Sequence, residues 1–425
     1  MSAAEIIAAT GKSQQLVSLA LRSLGAEVCK LGAARSTRYS LTKQILGLPA
    51  TQPLLFTDEG GQISDWGALT QLHGGQVYVQ SSSGQSWLVA SNTLPWFLAP
   101  LRPEGFLARA LRGLRPDLPD DPAVWTLEQA LYPAIMHHSD PPGAFSIGTH
   151  IGRIRTLSAS GFDIRSNHYD TMADTVGKTL PAHSSAGGEQ PKFVTEYSLP
   201  SGELAHYVVK FSPPRGTPFG ERWRALLHLE HLASQVLGEQ GIAVPKTNIV
   251  ESAARTYLES ERFDRVGHTG KRHVVALDAI DRTFVDMRRE NWIKSAEILR
   301  AKQLITAHEL QDIARVFGFG QFIGNTDMHF GNLSFYVEDV VKPRIRLAPV
   351  YDMLPMMWRP GIHTGELDAT PVREQLRAAG YDEAYEEARR WAVSFWQRAA
   401  ALDALTDELR EAASQSEARV SGEAK

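Results

Sequence analysis

Hydrophobic and polar positions change their period several times along this chain. The first residues predict two short helices, at 3–9 and from Ser13 to about Leu24, with Ser13 as a suitable N-cap. Alternating residues at 27–31 and 38–41 then predict a small hairpin. The apolar residues of the second helix recur at helical spacing and predict a buried stripe formed by Leu16, Val17, Ala20, Leu21 and Leu24.

The remainder of the chain has a mixed pattern that becomes sharper after residue 180. The stretch 47–53, GLPATQP, is typical of a linker. Short strands are predicted at 76–80 and 86–90, and a helix at 105–114. Alternation at 193–199 and Leu204–Phe211 predicts two strands, a helix follows from near Glu221, and the second half is mostly helical.

Charge separates the two ends of the chain more clearly than composition does. The formal net charge is −4, but residues 1–45 contain six basic and two acidic side chains, a net of +4, so the remainder carries −8. A basic end on an acidic body indicates a module with its own function. Helix, turn, helix and a basic hairpin resemble a winged helix-turn-helix, and the candidate DNA contacts are Gln14, Ser18, Arg22, Arg35 and Arg38. The alternative is a small helical packing domain whose polar face is only solvated.

Composition excludes several other classes of protein. Cys29 is the single cysteine, which excludes a disulfide framework and a multi-cysteine zinc site. The N-terminal residues have no apolar signal-peptide core, and no uncharged apolar run approaches the roughly 20 residues that cross a bilayer. We therefore expect a cytoplasmic protein.

A glycine-rich stretch at 183–192 reads HSSAGGEQPK and precedes the first of the two predicted strands. Small residues and glycines let backbone N–H groups approach phosphate oxygens, although such a turn by itself is weak evidence. The second strand ends in Val-Val-Lys-Phe, and its alternation puts Val208 and Lys210 on one face. A lysine in this position is how protein kinases hold nucleotide phosphates, and Glu230 on the following helix is a candidate ion-pair partner. The alternative is a lysine at a strand end that extends into water.

The strongest motif is the sequence FIGNTDMHFGNLSFY at 322–336, with Asp327, His329 and Asn332 in a D-x-H-x-x-N arrangement. The aspartate can orient or deprotonate a hydroxyl nucleophile, and the amide oxygen of the asparagine can hold a magnesium ion. The later motif LAPVYDMLPM places Asp352 at the end of a predicted short strand, where it would be a second magnesium ligand.

These motifs, in this order, resemble the HipA family of bacterial serine/threonine kinases, the toxins of type II toxin–antitoxin systems. The resemblance covers about residues 55–400, and the fused winged helix is similar to the YjjJ-like subgroup. It implies an α+β multidomain protein, with a winged helix-turn-helix at 1–46, a HipA-like N-terminal subdomain at 54–150, and a two-lobed, protein-kinase-like fold. The N-lobe with the glycine-rich loop would span 151–265 and the helical C-lobe 266–415. The stretches that carry the resemblance are SSAGGEQPKF, HYVVKF, GEQGIAVP, ESERFDR, FIGNTDMHFGNLSFY and LAPVYDMLPM.

The resemblance also implies roles for individual residues and the cofactors ATP and Mg²⁺. Asp327 would be the catalytic aspartate, supported by His329, and Asn332 and Asp352 would bind magnesium. Ser185 matches a serine whose autophosphorylation silences the enzyme. The residues that would bind nucleotide are Ser185, Ala186, Gly187, Gly188, Gln190, Lys192, Lys210, Glu261 and Phe263.

Two features depart from the family pattern. Glu189 replaces the usual alanine and would bring a negative charge near the phosphates. Ser184 adjoins Ser185, so the modified hydroxyl is ambiguous.

Two functions from different classes remain open on the sequence. The first is an ATP- and Mg-dependent protein kinase that inhibits growth by modifying a protein, such as a translation component, and regulates its own expression through DNA binding. The second is a DNA-binding transcriptional regulator whose pseudokinase body only senses nucleotide. The intact set Lys210, Asp327, Asn332 and Asp352 favours the kinase. A small-molecule acceptor also stays open, as do an antitoxin partner and a homodimer. Nuclease action on DNA is disfavoured, because the sequence contains no separate nuclease metal cluster.

Overall fold

The structure is a computed structural model of the 425-residue chain. The described residues are 1–32, 37–90, 92–103, 108, 115, 117–136, 140–149, 157–158, 162–179, 190–199, 204–285, 290–361 and 380–422. Arg35, the glycine-rich residues 183–189 and the predicted helix at 105–114, apart from Ala108, lie outside them.

The N-terminal segment folds as two helices followed by an antiparallel hairpin, as the hydrophobic pattern predicts. The hydroxyls of Ser2 and Ser13 cap the two helices by accepting a backbone N–H three residues later. Gly11 ends the first helix with φ of 64°, a left-handed conformation that glycine adopts without strain. The bounds are α1 (Ala3–Thr10), α2 (Gln14–Ser23), β1 (Val28–Leu31) and β2 (Arg38–Leu41).

The predicted buried stripe of α2 is wrong. Only Val17 is buried in this helix, whereas Leu16 and Leu19 are 49% and 60% exposed. The hairpin directs its buried Leu31 to the next domain, where it joins Leu72 and Tyr78 in a small apolar cluster. A module of two short helices and a small hairpin has too little apolar surface to cover the whole stripe, and Val17 alone in α2 is buried.

The predicted linker at 47–53 is also wrong. Thr51–Thr57 forms strand β3, and Leu54 in it is fully buried. The preceding segment is attached as well, because Ile45 is fully buried and the Lys43 backbone N–H donates to the Gln71 carbonyl at 2.9 Å. Proline and glycine mark the turn before the strand, but hydrogen bonding to the neighbouring strand decides the conformation of the residues that follow.

The domain formed by residues 51–147, called the middle domain below, contains the strands β3 to β7 in chain order. They form a five-stranded antiparallel sheet with the order β6-β5-β4-β3-β7. One side of this sheet carries an aromatic cluster in which Trp66 packs against Trp87, Phe97 and Phe145 with centroid distances of 5.0–5.7 Å. The predicted strands at 76–80 and 86–90 are confirmed. The remaining bounds are β4 (Ile63–Leu72), β5 (Gln76–Ser81), β6 (Ser86–Val89), α3 (Leu127–Met136) and β7 (Phe145–Ile147).

A second five-stranded sheet, with the order β11-β12-β10-β9-β8, corresponds to the predicted N-lobe. Alternation along β10 directs Val209 and Phe211 into a cluster with Tyr169 of helix α4, so Lys210 lies on the opposite face. The two strands predicted before residue 212 are confirmed. The bounds are β8 (Leu157–Ser158), α4 (Phe162–Thr179), β9 (Lys192–Ser198), β10 (Leu204–Phe211), α5 (Pro218–Glu239), β11 (Thr247–Glu251) and β12 (Thr256–Glu261).

The second half is mainly helical and shares the largest apolar core with the middle domain and α5. Helices α8 (Ala307–Phe322) and α9 (Asp382–Ala400) pack against each other, and α9 also packs on α5. No described helix combines the length and hydropathy needed to span a membrane. The bounds are β13 (Arg265–Val266), β14 (Gly270–Lys271), β15 (Val274–Ala276), α6 (Leu277–Phe284), α7 (Trp292–Ala301), α8 (Ala307–Phe322), β16 (Ser334–Asp339), β17 (Arg344–Leu347), α9 (Asp382–Ala400) and α10 (Asp407–Ser421).

Candidate active site

Lys210 is the centre of a buried ion-pair cluster. Its side chain is only 8% exposed, and its ammonium group donates to Glu230 Oε1 at 2.6 Å and to an oxygen of Asp352. The Glu230 partner predicted from the sequence is therefore present, and the alternative of a lysine extending into water is wrong. Thr217 caps α5, the helix that carries Glu230, and Pro218 is its first residue, a favourable position because its missing N–H costs no hydrogen bond.

The pKa values of the two carboxylates in this cluster are shifted in opposite directions. Burial raises the pKa of Glu230, even though Lys210 opposes the shift. Burial would also raise the pKa of Asp352, but the Lys210 and Lys192 ammonium groups outweigh burial and hold it below its usual range. Burial would lower the pKa of Lys210, and Asp352 and Glu230 together raise it instead. Lys210 is therefore cationic and Asp352 anionic at neutral pH.

Asp352 does not lie at a strand end as the sequence predicts. Strand β17 ends at Leu347, and the backbone leaves the sheet at Pro349, which has no N–H to donate to a strand partner. Asp352 follows with φ of 61°, a left-handed conformation that an aspartate adopts only at some energetic cost. This turn brings its carboxylate to Lys210.

The D-x-H-x-x-N motif is an irregular loop held by side chains. Asn332 Nδ2 donates to the Asp327 carbonyl at 2.9 Å, and the Asp327 N–H donates to Asn325 Oδ1 at 3.1 Å. His329 caps the short 3₁₀ turn Phe330–Asn332, with its Nδ1 accepting from the Gly331 N–H at 3.0 Å. The Asp327 and His329 side chains are exposed, so they are open to a substrate.

The segment Glu261–Phe263 leaves the N-lobe sheet beside this loop system. The backbone N–H of Glu261 donates to the Lys246 carbonyl at 2.8 Å, at the end of β12. The Phe263 ring packs on Tyr351 and Tyr336, with centroid distances of 5.8 and 6.0 Å. Because Tyr351 directly precedes Asp352, Phe263 lies next to the Lys210 cluster, where an aromatic ring could contact a purine.

The glycine-rich loop itself lies outside the described residues, and with it Ser185, Ala186, Gly187 and Gly188. Its described end leads into the site. Lys192 is directly opposite Lys210 in the antiparallel pairing of β9 with β10. The positive charge of Lys192 acts on Asp352 and lowers the pKa of its carboxyl.

The polar groups around Lys210 suit a phosphate-bearing ligand with a magnesium ion. Gln190 Nε2 and Glu230 Oε2 are buried and have no hydrogen-bond partner among the described residues, which is uncommon unless a ligand or water completes them. Magnesium prefers oxygen ligands, and the Asp352 carboxylate and Asn332 Oδ1 are of the type that could supply them. Among the residues that the structure describes, no group of three His, Cys, Asp or Glu side chains could hold a metal ion. A magnesium site that substrate phosphates complete does not need three such side chains.

The predicted DNA contacts lie on the surface of the N-terminal module. Gln14, Ser18, Arg22 and Arg38 are exposed, whereas Arg35 falls outside the described residues. The Arg22 guanidinium donates to the Ser18 carbonyl one turn earlier at 3.2 Å, which directs this side chain along the helix. The first three of these residues recur every four positions and so share one face of α2.

Sequence reasoning missed three groups of residues that shape the site. Asn325 joins the loop of Asp327 to the segment of Asp352, and its position two residues before an aspartate in a loop is a signal for an Asx turn that could have been noticed. Tyr351 was unremarkable in the sequence, yet its hydroxyl donates to the Gly331 carbonyl at 2.8 Å and burial raises its pKa to about 12. The third group is the buried ionic cluster of Asp140, Arg262, Asp264, Arg265 and Lys271. Three of these residues lie in the ESERFDR stretch, but nothing in the sequence indicated their pairing with Asp140.

Comparison with known proteins identifies the class to which this fold and site belong. Residues 184–420 match the family model of the HipA-like C-terminal domain, and residues 48–154 match the middle domain of YjjJ-like toxins. A HipA structure from Shewanella oneidensis MR-1, solved with HipB and its operator DNA, superposes with a TM-score of 0.51 over 87% of this chain and 96% of that chain, at 14% identity. The class is thus an α+β protein with a HipA-like fold.

Sequence relatives assign the chain to a smaller group within this class. The chain is 32% identical over 394 residues to Toxin YjjJ of Escherichia coli, which covers 90% of this chain and 86% of the relative. It is 25% identical over 225 residues to a Haemophilus influenzae protein with a provisional kinase name, covering 48% of this chain and 63% of that relative. The chain belongs to the HipA-like kinase family, and within it to the YjjJ-like toxins.

Proposed function

We propose that this chain is an ATP- and Mg-dependent serine/threonine protein kinase of the HipA toxin type that inhibits growth. The observation that carries the proposal is the Lys210 ammonium group held between Glu230 and Asp352, with Lys192 beside it. A kinase needs such a lysine to be ionised and fixed where the nucleotide phosphates bind. A body that only senses nucleotide would need the phosphate- and magnesium-binding groups but not Asp327, so the presence of this aspartate favours the kinase.

The chain's own residues would divide the work of phosphoryl transfer among them. Lys210 and Lys192 would bind and orient phosphate oxygens, and the Asp327 carboxylate would accept the proton of the acceptor hydroxyl. Asn332 Oδ1 and the Asp352 carboxylate would hold magnesium, which when bound neutralises charge on the transferred phosphoryl group. Glu261 and Phe263 would border the purine, and the backbone of the glycine-rich loop would cover the phosphates.

The acceptor and the regulation of the enzyme are proposed on different grounds. Growth inhibition is supported by the name of Toxin YjjJ, to which this chain is similar over 90% of its length. We propose a protein serine as acceptor, in a translation component, and autophosphorylation of Ser185 as a means of silencing. Exposed basic residues on the +4 N-terminal module support DNA binding in a homodimer that regulates its own expression, with an antitoxin as a further partner.

Phosphate transfer from γ-labelled ATP by purified protein tests the proposal. Wild type is expected to label itself or a protein in a cell extract, and Asp327→Asn to lower the rate at least about 100-fold because it removes the proton acceptor. Asp403→Asn, at an exposed aspartate in the turn between α9 and α10, is the matched control and should retain wild-type transfer. Phosphoproteomics of cells that express wild type or Asp327→Asn would identify the acceptor.

Two results would contradict the kinase. Full transfer by Asp327→Asn would rule out the role of this carboxylate. Binding of Mg-ATP by wild type without any transfer, while the protein binds DNA, would favour the regulator with a nucleotide-sensing body.

A further inference from the structure

We propose that Asn325 is a positioning residue that fixes the catalytic loop and the magnesium-binding segment in one relative geometry. Its side chain bridges the two: Asn325 Oδ1 accepts from the Asp327 N–H at 3.1 Å, and Asn325 Nδ2 donates to the Asp352 carbonyl at 3.3 Å. The inference deepens the proposed kinase function and rests on it, because only a phosphoryl-transfer site gives both aspartates a role.

Asn325 is well placed to act as a rigid support. It is 7% exposed, and its backbone N–H donates to the Gly320 carbonyl in the last turn of α8 at 2.8 Å. The residue before it, Gly324, has φ of 71° and accepts from the Met357 N–H at 3.0 Å. The left-handed φ of Gly324 suits glycine, and an added side chain would also meet the Met357 side chain. The bridge is therefore anchored to the helical core.

The two ends of the bridge require an amide. The Asp327 N–H needs an acceptor and the Asp352 carbonyl needs a donor, and a carboxamide supplies one of each at the same distance from the backbone. Aspartate would keep the acceptor but set an oxygen against the Asp352 carbonyl. Alanine would leave both partly buried backbone groups without this partner.

The positions of the Asp327 and Asp352 carboxylates depend on restraints of their backbone. The Asp327 carboxylate makes no hydrogen bond or ion pair to a described residue, so its direction is set by its backbone, whose N–H is held by Asn325 and whose carbonyl is held by Asn332. Asp352 is in a left-handed conformation that the surrounding contacts must maintain. Loss of the bridge would therefore release the proposed base and the proposed metal ligand at the same time.

Hydrogen exchange of the ligand-free protein, followed by kinetics, tests the bridge with Asn325→Ala and Asn325→Asp. Thr306→Ala is the matched control, because it removes the N-cap of α8 at the end far from the loop and costs stability without touching the bridge. In Asn325→Ala we expect the Asp327 amide to exchange about tenfold faster. We also expect kcat to fall about 10–100-fold and the Mg²⁺ concentration for half-maximal rate to rise, with KM for the acceptor unchanged.

Asn325→Asp removes one of the two hydrogen bonds of the bridge and keeps the other. It should preserve the protection of the Asp327 amide from hydrogen exchange but still raise the Mg²⁺ concentration for half-maximal rate, because only the hydrogen bond to the Asp352 carbonyl is lost. Unchanged Asp327 exchange and unchanged Mg²⁺ dependence in folded Asn325→Ala would overturn the inference, as would equal effects in Thr306→Ala. If wild type transfers no phosphate, the proposed function fails, and the exchange data of Asn325→Ala alone decide whether the bridge holds the loop.

Discussion

The buried ionic cluster of Asp140, Arg262, Asp264, Arg265 and Lys271 predicts a large loss of stability when a single carboxylate is neutralised. Asp140, from the middle domain, contacts Arg262 at 2.5 Å, Arg265 at 2.7 Å and Lys271 at 3.1 Å. Asp264 balances the same two arginines at 2.9 and 2.6 Å. The side chains of all five residues are at most 10% exposed, so water screens these charges poorly.

Asp140→Asn changes the charge of this cluster while keeping its shape. Three cations and two carboxylates give a net of +1, and the substitution raises it to +2 in a buried site. Burial would raise the pKa of Asp140, but Arg262, Arg265 and Lys271 hold it far below the usual range, so the native cluster contains the anion. Removing one partner from a buried ion pair costs about 3–5 kcal/mol, and we expect a loss of that size.

Urea unfolding at pH 7 measures this loss. Glu59→Gln is the matched control: Glu59 contacts Arg272 at 3.0 Å, but the two side chains are 61% and 39% exposed, so the loss should stay below about 1 kcal/mol. We expect Asp140→Asn to unfold at a much lower urea concentration than Glu59→Gln. Equal shifts in the two variants would refute the reasoning, because burial would then have no effect on the strength of these pairs.

Two further predictions concern protonation and DNA. His273 is buried, with Nε2 donating to the Phe97 carbonyl and Nδ1 accepting from the Ala144 N–H, and burial lowers its pKa to about 4. Since the unfolded histidine has a pKa of about 6.5, stability present above pH 6.5 is lost as the pH falls towards 4, by up to about 3 kcal/mol. Urea midpoints between pH 7 and 4.5 should therefore fall more steeply in wild type than in His273→Gln, and identical slopes would contradict this. Arg22→Ala combined with Arg38→Ala should weaken binding to a duplex from upstream of the chain's own coding sequence and reduce its salt dependence by about two phosphate contacts in a binding titration. An unchanged salt slope would exclude these arginines from the interface.

Local patterns were sufficient for the strands and helices that frame the site. Alternation predicts β10 from Leu204 to Phe211, the bounds that the structure has, and the spacing of Asp327 and Asn332 predicts the loop that joins them. Local patterns misjudged α2 and the segment at 47–53. For the N-terminal module the hairpin contacts the middle domain through Leu31, and for 47–53 the strand that begins there, β3, pairs with β4 and β7, and no period in the sequence encodes either contact.

The sequence by itself determined which chemical groups the chain can use and in what order: a glycine-rich stretch, a strand lysine, an aspartate–asparagine loop and a later aspartate. The tertiary structure alone decided which of them meet. Lys210 and Asp352 are 142 residues apart in the chain, and Asp140 and Arg262 are 122 apart. Side-chain periodicity specifies neighbours within a few residues, whereas contacts over such distances depend on how separate sheets and helices pack their apolar faces. For that reason the Asn325 bridge and the buried ionic cluster became visible only in the folded chain.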